Sequence, residues 1–130
     1  MWYNQNNLHH EKKENLKKIN LLKNISRNEL ITVVNKAKVY FHCSRETFGI
    51  STIESIAAGC IPIVPNIGGH VETVPYPELR YEENNISDAQ EKIKKALTGS
   101  FDHLESLTDS IKKYDRQEFM KHMIRYIESI

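Results

Sequence analysis

Glycine and proline are concentrated in the middle of this 130-residue chain, and their positions limit what it can fold into. Four of the five glycines and all four prolines lie between residues 49 and 77. Glycine marks sharp turns and close backbone approaches, and proline interrupts helices and central strands. The middle of the chain must therefore consist of short elements joined by tight turns, whereas the charged flanks predict helices.

Short β-branched and aromatic runs alternate with helical patterns through this region. Strands are predicted over 19–22, 37–43, 61–64 and 80–81, and helices over 26–36, 50–58, 70–74, 87–97, 102–113 and 115–129. Ser26 with Glu29, and Ser87 with Gln90, have the spacing of capping boxes, and Gly59 stands where a helix C-cap is expected. Strands that alternate with helices predict a parallel sheet covered by helices, which is the α/β class.

Composition excludes several classes of function. The 18 Lys and Arg nearly balance the 17 Asp and Glu, which argues against a nucleic-acid partner. No apolar run approaches the ~20 residues of a membrane span, and the first residues lack the pattern of a signal peptide. Because Cys43 and Cys60 do not form a disulfide framework, a reducing, cytoplasmic location is expected.

The segment from Cys43 to Gly59 is the candidate for chemistry, because it crosses from a predicted strand into a predicted helix. Ligands of doubly wound sheets bind outside the carboxyl ends of the strands. Gly49 lets backbone N–H groups approach a phosphate, and the helix dipole favours that anion. Glu46 in the loop and Glu54 one turn into the helix would accept hydrogen bonds from sugar hydroxyls on either side of it.

Other sites have less support in the pattern. A zinc site could in principle use His42, Cys43, Cys60 and His70, but these lack CxxC or HxxxH spacing, so no metal is expected. No P-loop and no GxGxxG is present, so ATPase and dinucleotide oxidoreductase activities lose their usual motif. Phe48 and the isoleucines at 50, 53 and 56 are interpreted as core.

The central segment resembles the donor-binding half of a GT-B glycosyltransferase of family 4, a group of retaining enzymes that use nucleotide-activated sugars. The resemblance covers residues 19–97 and is carried by two motifs, ETFGISTIESIAAGCIPIV and GGHVETV. A Glu-x7-Glu spacing alone would be weak, but its combination with the glycines and prolines around it is specific.

The resemblance implies a role for each matching residue. Glu54 resembles the glutamate that accepts hydrogen bonds from the ribose hydroxyls, and Glu46 resembles the catalytic-site glutamate that contacts the transferred sugar. Donor contacts are further implied at Thr47, Phe48, Gly49 and Ile50, with loop contacts at Gly68 and Gly69. The donor would be a nucleoside-diphosphate sugar, no cofactor or metal is implied, and the acceptor would be a glycan, a lipid or a similar molecule.

The chain also departs from that family. Its members have a second, acceptor-binding domain, and their donor domain begins with two strands and an Arg and a Lys that neutralise the diphosphate, none of which is seen before residue 19. We therefore expect one truncated domain: a helical lead-in over 1–18, a partial Rossmann-like core of about four parallel strands over 19–97, and C-terminal helices over 98–130. Such a chain would be inactive alone.

Two functions remain open at this point. The first is the nucleotide-sugar-binding part of an enzyme that needs the missing acceptor domain or a partner subunit; the second is a non-catalytic binding or partner subunit of the same fold. An apolar stripe of Phe119, Met123, Ile127 and Ile130 predicts self-association through the last helix. Any membrane contact is expected only through a lipid acceptor.

Overall fold

The computed structural model describes residues 19–99 and 104–130, and the chain divides into two compact units, one ending at Leu30 and the other spanning residues 31–130. The helices and strands, in chain order, are α1 (Arg27–Lys36), β1 (Val39–Phe41), α2 (Ile50–Ala57), β2 (Ile61–Pro65), α3 (His70–Thr73), β3 (Arg80–Tyr81), α4 (Ile86–Leu97), α5 (Leu104–Ser110) and α6 (Arg116–Glu128). Short 3-10 turns occupy Pro77–Leu79 and Lys112–Tyr114.

The strands form a parallel sheet in the order β1-β2-β3, which confirms the α/β class. Val39 pairs with Ile61 at the start of the β1–β2 ladder, and Val64 pairs with Arg80 in the β2–β3 ladder. All five residues of the central strand β2 are buried. A parallel strand covered on both faces is expected to be apolar throughout, which explains Ile61, Ile63 and Val64.

The prediction of a fourth strand over residues 19–22 was wrong. That segment is irregular, and its apolar side chains are exposed, Leu21 at 75% and Leu22 at 50%. A strand exists only where a neighbour accepts and donates its backbone hydrogen bonds, so an apolar run without a pairing partner does not form one. The sheet of the described residues therefore has three strands. The predicted lead-in helix over 1–18 lies outside the described residues.

Of the two capping boxes predicted at helix N-termini, one is present in the structure and the other is not. Ser26 and Glu29 form the predicted capping box, in which the Glu29 carboxylate accepts from the Ser26 backbone N–H at 2.7 Å and the Ser26 hydroxyl accepts from the Glu29 N–H at 3.3 Å. The predicted box at Ser87 is wrong, because the N-cap of α4 lies two residues earlier. Its N-cap is Asn85, whose side-chain oxygen accepts from the Asp88 N–H at 3.0 Å.

The C-terminal helices are close to their predicted bounds. The helix predicted over 102–113 is shorter, with α5 ending at Ser110 before the second 3-10 turn, and residues 102 and 103 lie outside the described residues. The last helix, predicted over 115–129, is α6, and its N-cap Asp115 accepts from the Gln117 N–H at 2.7 Å.

The core lies on both faces of β2 and draws one or two residues from each of α2, β3, α4, α5 and the first 3-10 turn. Its fully or almost fully buried members are Ile56, Ile61, Ile63, Val64, Val74, Leu79, Tyr81, Ala89, Ala96 and Leu107. Helix α6 contributes no buried residue, so the predicted apolar stripe on it is exposed. Within the described part of the chain, no helix has the length and apolarity that crossing a bilayer requires.

Candidate functional site

Two loops meet at one edge of the sheet and form the candidate site. The first runs from the end of β1 at Phe41 to the start of α2 at Ile50, and the second runs from the end of β2 at Pro65 to the start of α3 at His70. Because β1 and β2 are parallel neighbours, their carboxyl ends open at the same edge. This is the edge at which parallel α/β sheets bind ligands.

The two glycines of the second loop allow the loops to touch. The Gly69 N–H donates to the Glu46 carbonyl at 2.7 Å. A Cβ on Gly68 would lie 2.5 Å from that same carbonyl oxygen, and a Cβ on Gly69 would overlap the Thr47 carbonyl and lie 2.8 Å from the Phe48 Cα. Side chains cannot fit against rigid backbone at such distances. The glycine pair therefore supports the backbone that carries Glu46.

A cavity of about 440 Å³ opens between these loops. It is lined by Arg45, Glu46, Thr47, Gly68, Gly69, Val71 and Glu72. One guanidinium and two carboxylates thus border the same space. Carboxylates accept hydrogen bonds from hydroxyl groups, and a guanidinium donates to anionic oxygens, so the lining suits a ligand with both.

Glu46 is the most constrained of the charged groups in the cavity. Its Oε1 lies 3.1 Å from His42 Nε2, and its side chain is 41% exposed whereas that of His42 is only 19% exposed. The same His42 nitrogen lies 3.0 Å from the Ser44 hydroxyl. On the other side of the ring, Nδ1 lies 3.1 Å from the Tyr40 hydroxyl, which in turn donates to Ser51 Oγ at 2.9 Å. A continuous hydrogen-bonded chain thus connects Glu46 to the first turn of α2.

A second histidine lies beneath the loop. His70 is fully buried, and its Nε2 lies 3.2 Å from the Ser44 carbonyl, so this nitrogen carries the proton and donates. Burial lowers the pKa of His70, partly opposed by that hydrogen bond, and the ring is held neutral. Its Nδ1 and the Thr52 hydroxyl are buried without a hydrogen-bond partner in the described residues. Both face Gly49, where a Cβ would lie 3.5 and 3.4 Å from them.

Gly49 itself is the N-cap of α2 and adopts a left-handed conformation with φ +83°. Glycine takes this conformation without strain, which explains its presence at the turn into the helix. The interpretation of the neighbouring apolar residues as core was wrong at two positions. Ile50 is 65% exposed and Phe48 is 41% exposed, whereas Ile56 is in the core, because only one face of α2 covers the sheet.

Glu54 lies one turn into α2 and is exposed. It does not line the cavity, so the described structure gathers Glu46, Thr47, Gly68 and Gly69 around one space and leaves Glu54 on the adjoining helix. With a rise of ~1.5 Å per residue, Glu54 is ~6 Å along the axis from the start of that helix. A ligand that extended from the cavity across the N-terminus of α2 would span both carboxylates.

Of the four residues considered for zinc, only the two histidines are known to lie together, with the rings of His42 and His70 5.1 Å apart. The Cys60 thiol is buried and donates to the carbonyls of Val34 and Ala37, both at 3.3 Å, and burial raises its pKa. Cys43 is exposed. In residues 19–99 and 104–130, no three side chains of the metal-binding types are grouped as ligands.

Sequence reasoning missed several residues that shape the site. Tyr40 is two positions before His42, and alternate residues of a strand share a face, so this pair could have been found from the sequence. Tyr114 carried no such signal: its ring packs edge-on against Phe48 at 5.2 Å, and its hydroxyl lies 3.4 Å from the Glu72 carboxylate. That contact joins segments 42 residues apart.

Comparison with known proteins gives one match. The model of the family described as Glycosyl transferases group 1 matches residues 3–118. That range includes both loops, the whole sheet and most of the helices. No curated protein and no solved structure matches the chain.

Proposed function

The chain belongs to the group 1 glycosyl transferases, and on that premise we propose that it binds the donor of a retaining GT-B enzyme of family 4. The donor is a nucleoside-diphosphate sugar, and the hexose passes to a glycan, lipid or similar acceptor held by another domain or subunit. The observation that carries this proposal is the cavity in which Glu46 lies beside Arg45, at the carboxyl edge of a parallel sheet.

Glu46 accepts hydrogen bonds from hydroxyls of the transferred sugar. Its carboxylate has one oxygen against His42 and the rest of its acceptor capacity open to the cavity. A carboxylate has about four lone-pair sites, so one hydrogen bond within the protein leaves room for sugar hydroxyls. This arrangement supports a sugar-binding role for Glu46 over that of a solvated loop residue.

Glu54 accepts from the ribose hydroxyls, and the diphosphate lies between the two carboxylates over the N-terminus of α2. The left-handed Gly49 brings backbone N–H groups of that helix start toward an anion, and the helix dipole adds a favourable interaction of about 0.3–1 kcal/mol. Arg45 is the cationic side chain of the cavity lining and would supply charge to the leaving group. Catalysis in such a site comes from positioning and from stabilisation of charge on the leaving diphosphate.

The proposal is tested by comparing how two variants bind nucleoside diphosphates and how they bind the corresponding sugar nucleotides. Amide chemical-shift titrations would measure dissociation constants for UDP, GDP and ADP and for the glucose or mannose derivative of each. We expect Glu54→Ala to weaken binding of the nucleoside diphosphate by about 1–3 kcal/mol, because a hydrogen-bond acceptor for hydroxyls is lost. Glu46→Gln should leave that affinity nearly unchanged and weaken binding of the sugar nucleotide.

The matched control is Glu105→Ala, which removes an exposed glutamate from α5 and should change neither constant. Unchanged nucleoside-diphosphate affinity in Glu54→Ala would contradict the ribose role. When the protein is assayed with its acceptor-binding partner, Glu46→Gln should also lose most of the transfer rate. Equal transfer by Glu46→Gln and the wild type would contradict the sugar role.

A further inference from the structure

His42 is held in place by its backbone before its side chain makes any contact. Its N–H donates to the Ile63 carbonyl on β2 at 3.0 Å. Its own carbonyl accepts from the buried Tyr81 hydroxyl on β3 at 2.9 Å, and the Tyr81 ring stacks on Phe41 at 5.6 Å. The residue directly after β1 is thus tied to both other strands, which makes its side chain a rigid base for whatever it contacts.

The protonation pattern of the hydrogen-bonded chain directs one N–H of His42 at Glu46. A carboxylate only accepts, so the Nε2 that lies 3.1 Å from Glu46 Oε1 carries a proton. The Ser44 hydroxyl, 3.0 Å from Nε2, shares that nitrogen with Glu46. On the other side of the ring, Nδ1 lies 3.1 Å from the Tyr40 hydroxyl, which donates to Ser51 Oγ at 2.9 Å, so the ring is held from both sides.

We propose that His42 is a positioning residue for sugar recognition, which holds the Glu46 carboxylate at the angle that a donor hydroxyl requires. This inference rests on the proposed function of Glu46. The Tyr40–Ser51 pair acts on His42 from the other side and joins the loop that carries Glu46 to the helix that carries Glu54. The two carboxylates are thereby set relative to each other before the donor arrives.

The geometry distinguishes this arrangement from an ordinary surface ion pair. Exposed pairs contribute little because both long side chains must be ordered for one contact. Here the His42 side chain is short, mostly buried and already ordered by the sheet. Only the Glu46 side chain therefore loses conformational entropy in forming the contact, and it does so before the donor binds. A binding group that is ordered in advance raises affinity by lowering the entropy lost on binding.

The test is a double-mutant cycle on His42 and Glu46, with the ratio of the dissociation constants for nucleoside diphosphate and sugar nucleotide as the readout. His42→Leu removes the N–H, His42→Gln retains an amide N–H that can donate to Glu46, and Glu46→Gln removes the charge. The His122→Leu variant, on the exposed face of α6, is the control for a His-to-Leu change. Melting temperatures of all variants report any loss of fold.

We expect His42→Leu to weaken sugar-nucleotide binding about tenfold, because one charge-assisted hydrogen bond is lost. Binding of the nucleoside diphosphate should be unchanged. His42→Gln should recover most of that loss. The double variant His42→Leu/Glu46→Gln should bind no more weakly than Glu46→Gln, because residues that act through one another are not additive. A merely structural role would lower both affinities and would not be rescued by glutamine.

The results that would overturn the proposal differ in whether they also refute the proposed function. If Glu46→Gln loses sugar-nucleotide binding while His42→Leu binds the sugar nucleotide as the wild type does, the positioning role is refuted and the proposed function stands. If the losses of sugar-nucleotide binding free energy in the two single variants add up in the double variant, His42 acts independently of Glu46. That result also refutes the positioning role. No loss in Glu46→Gln, or no binding of any sugar nucleotide by the wild type, refutes the proposed function and the positioning role with it.

Discussion

The site edge of the sheet and the C-terminal helix α6 are organised in opposite ways. At the site edge, contacts join segments far apart in sequence: Tyr81 to His42 across 39 residues and His70 to Ser44 across 26. In α6 the side-chain pairs are local, such as that of Lys121 with Glu118 three residues before it at 2.6 Å. The helix forms from its own cap and side-chain pairs, whereas the site exists only once the sheet has assembled.

The two regions also differ in how their apolar residues are used. Ile63 and Val64 at the centre of the sheet are fully buried, but the large apolar side chains of α6 are 41% to 65% exposed. Burial of a large aliphatic side chain contributes roughly 1.5–3 kcal/mol, so stability is concentrated in the sheet and is nearly absent from α6. The predictions below compare changes at the sheet and its site edge with changes at exposed positions, most of them on α6.

The largest contrast is expected from the same substitution at two isoleucines. Ile63→Ala should destabilise the fold by about 2–5 kcal/mol, because it removes buried methylene groups and leaves a cavity in β2. Ile127→Ala, at a side chain that is 64% exposed, should stay within about 0.5 kcal/mol of the wild type. Urea unfolding followed by circular dichroism measures both, and equal effects would remove the distinction between the regions.

The next contrast concerns the glycine that lets the loops touch. Gly69→Ala should cost about 2–3 kcal/mol, because the new Cβ meets the backbone of Thr47 and Phe48, which has no room to yield. Gly59→Ala is the control, since its left-handed backbone is strained by alanine but no atom lies within 4 Å, and about 1 kcal/mol is expected. A smaller cost at Gly69 than at Gly59 would show that the loops separate easily.

A smaller effect is expected from pH, and its sign follows from burial. The pKa of His70 is lower in the folded protein than in the unfolded chain, so the unfolded state binds more protons as the pH falls. The contribution of neutral His70 to the free energy of unfolding is therefore complete above the pKa of about 6.5 in the unfolded chain. It is lost as the pH falls through the lower pKa of the folded protein. Melting temperatures between pH 8 and 5 should fall less steeply for His70→Asn than for the wild type.

The control for the pH profile comes from the other region. His122 lies exposed on α6, and His122→Asn should keep the wild-type profile. Parallel profiles for His70→Asn and the wild type would mean that the buried imidazole is not the titrating group.

Substitutions on α6 are expected to change stability least. They should instead change self-association. Replacing Phe119 and Met123 by serine should alter the unfolding free energy by no more than about 0.5 kcal/mol, since both side chains are already exposed. If the exposed stripe drives self-association, the double variant should sediment as a smaller species than the wild type at equal concentration. A wild-type monomer at high concentration would contradict the predicted association.

Local sequence patterns correctly predicted the features that depend only on residues close together along the chain. The capping box of Ser26 and Glu29, the left-handed Gly59 after α2, the three strands of the sheet and the bounds of α6 all follow from propensities and spacings within a few residues. The position of Glu46 in a loop after a strand, and of Glu54 one turn into the next helix, followed in the same way. The assembled sheet and loops then place Glu46 in the lining of the cavity and leave Glu54 outside it.

The tertiary structure decided whatever depends on partners distant in sequence. Residues 19–22 have the composition of a strand but pair with no strand of the described residues, and Ile50 has the pattern of a core residue but lies on the uncovered face of α2. The contact of Gly69 with the Glu46 carbonyl, the packing of Tyr114 on Phe48 and the hydrogen bond from Tyr81 to His42 cross 23, 66 and 39 residues. Pairing, burial and ring contacts of this kind are properties of two segments at once, so no local pattern encodes them.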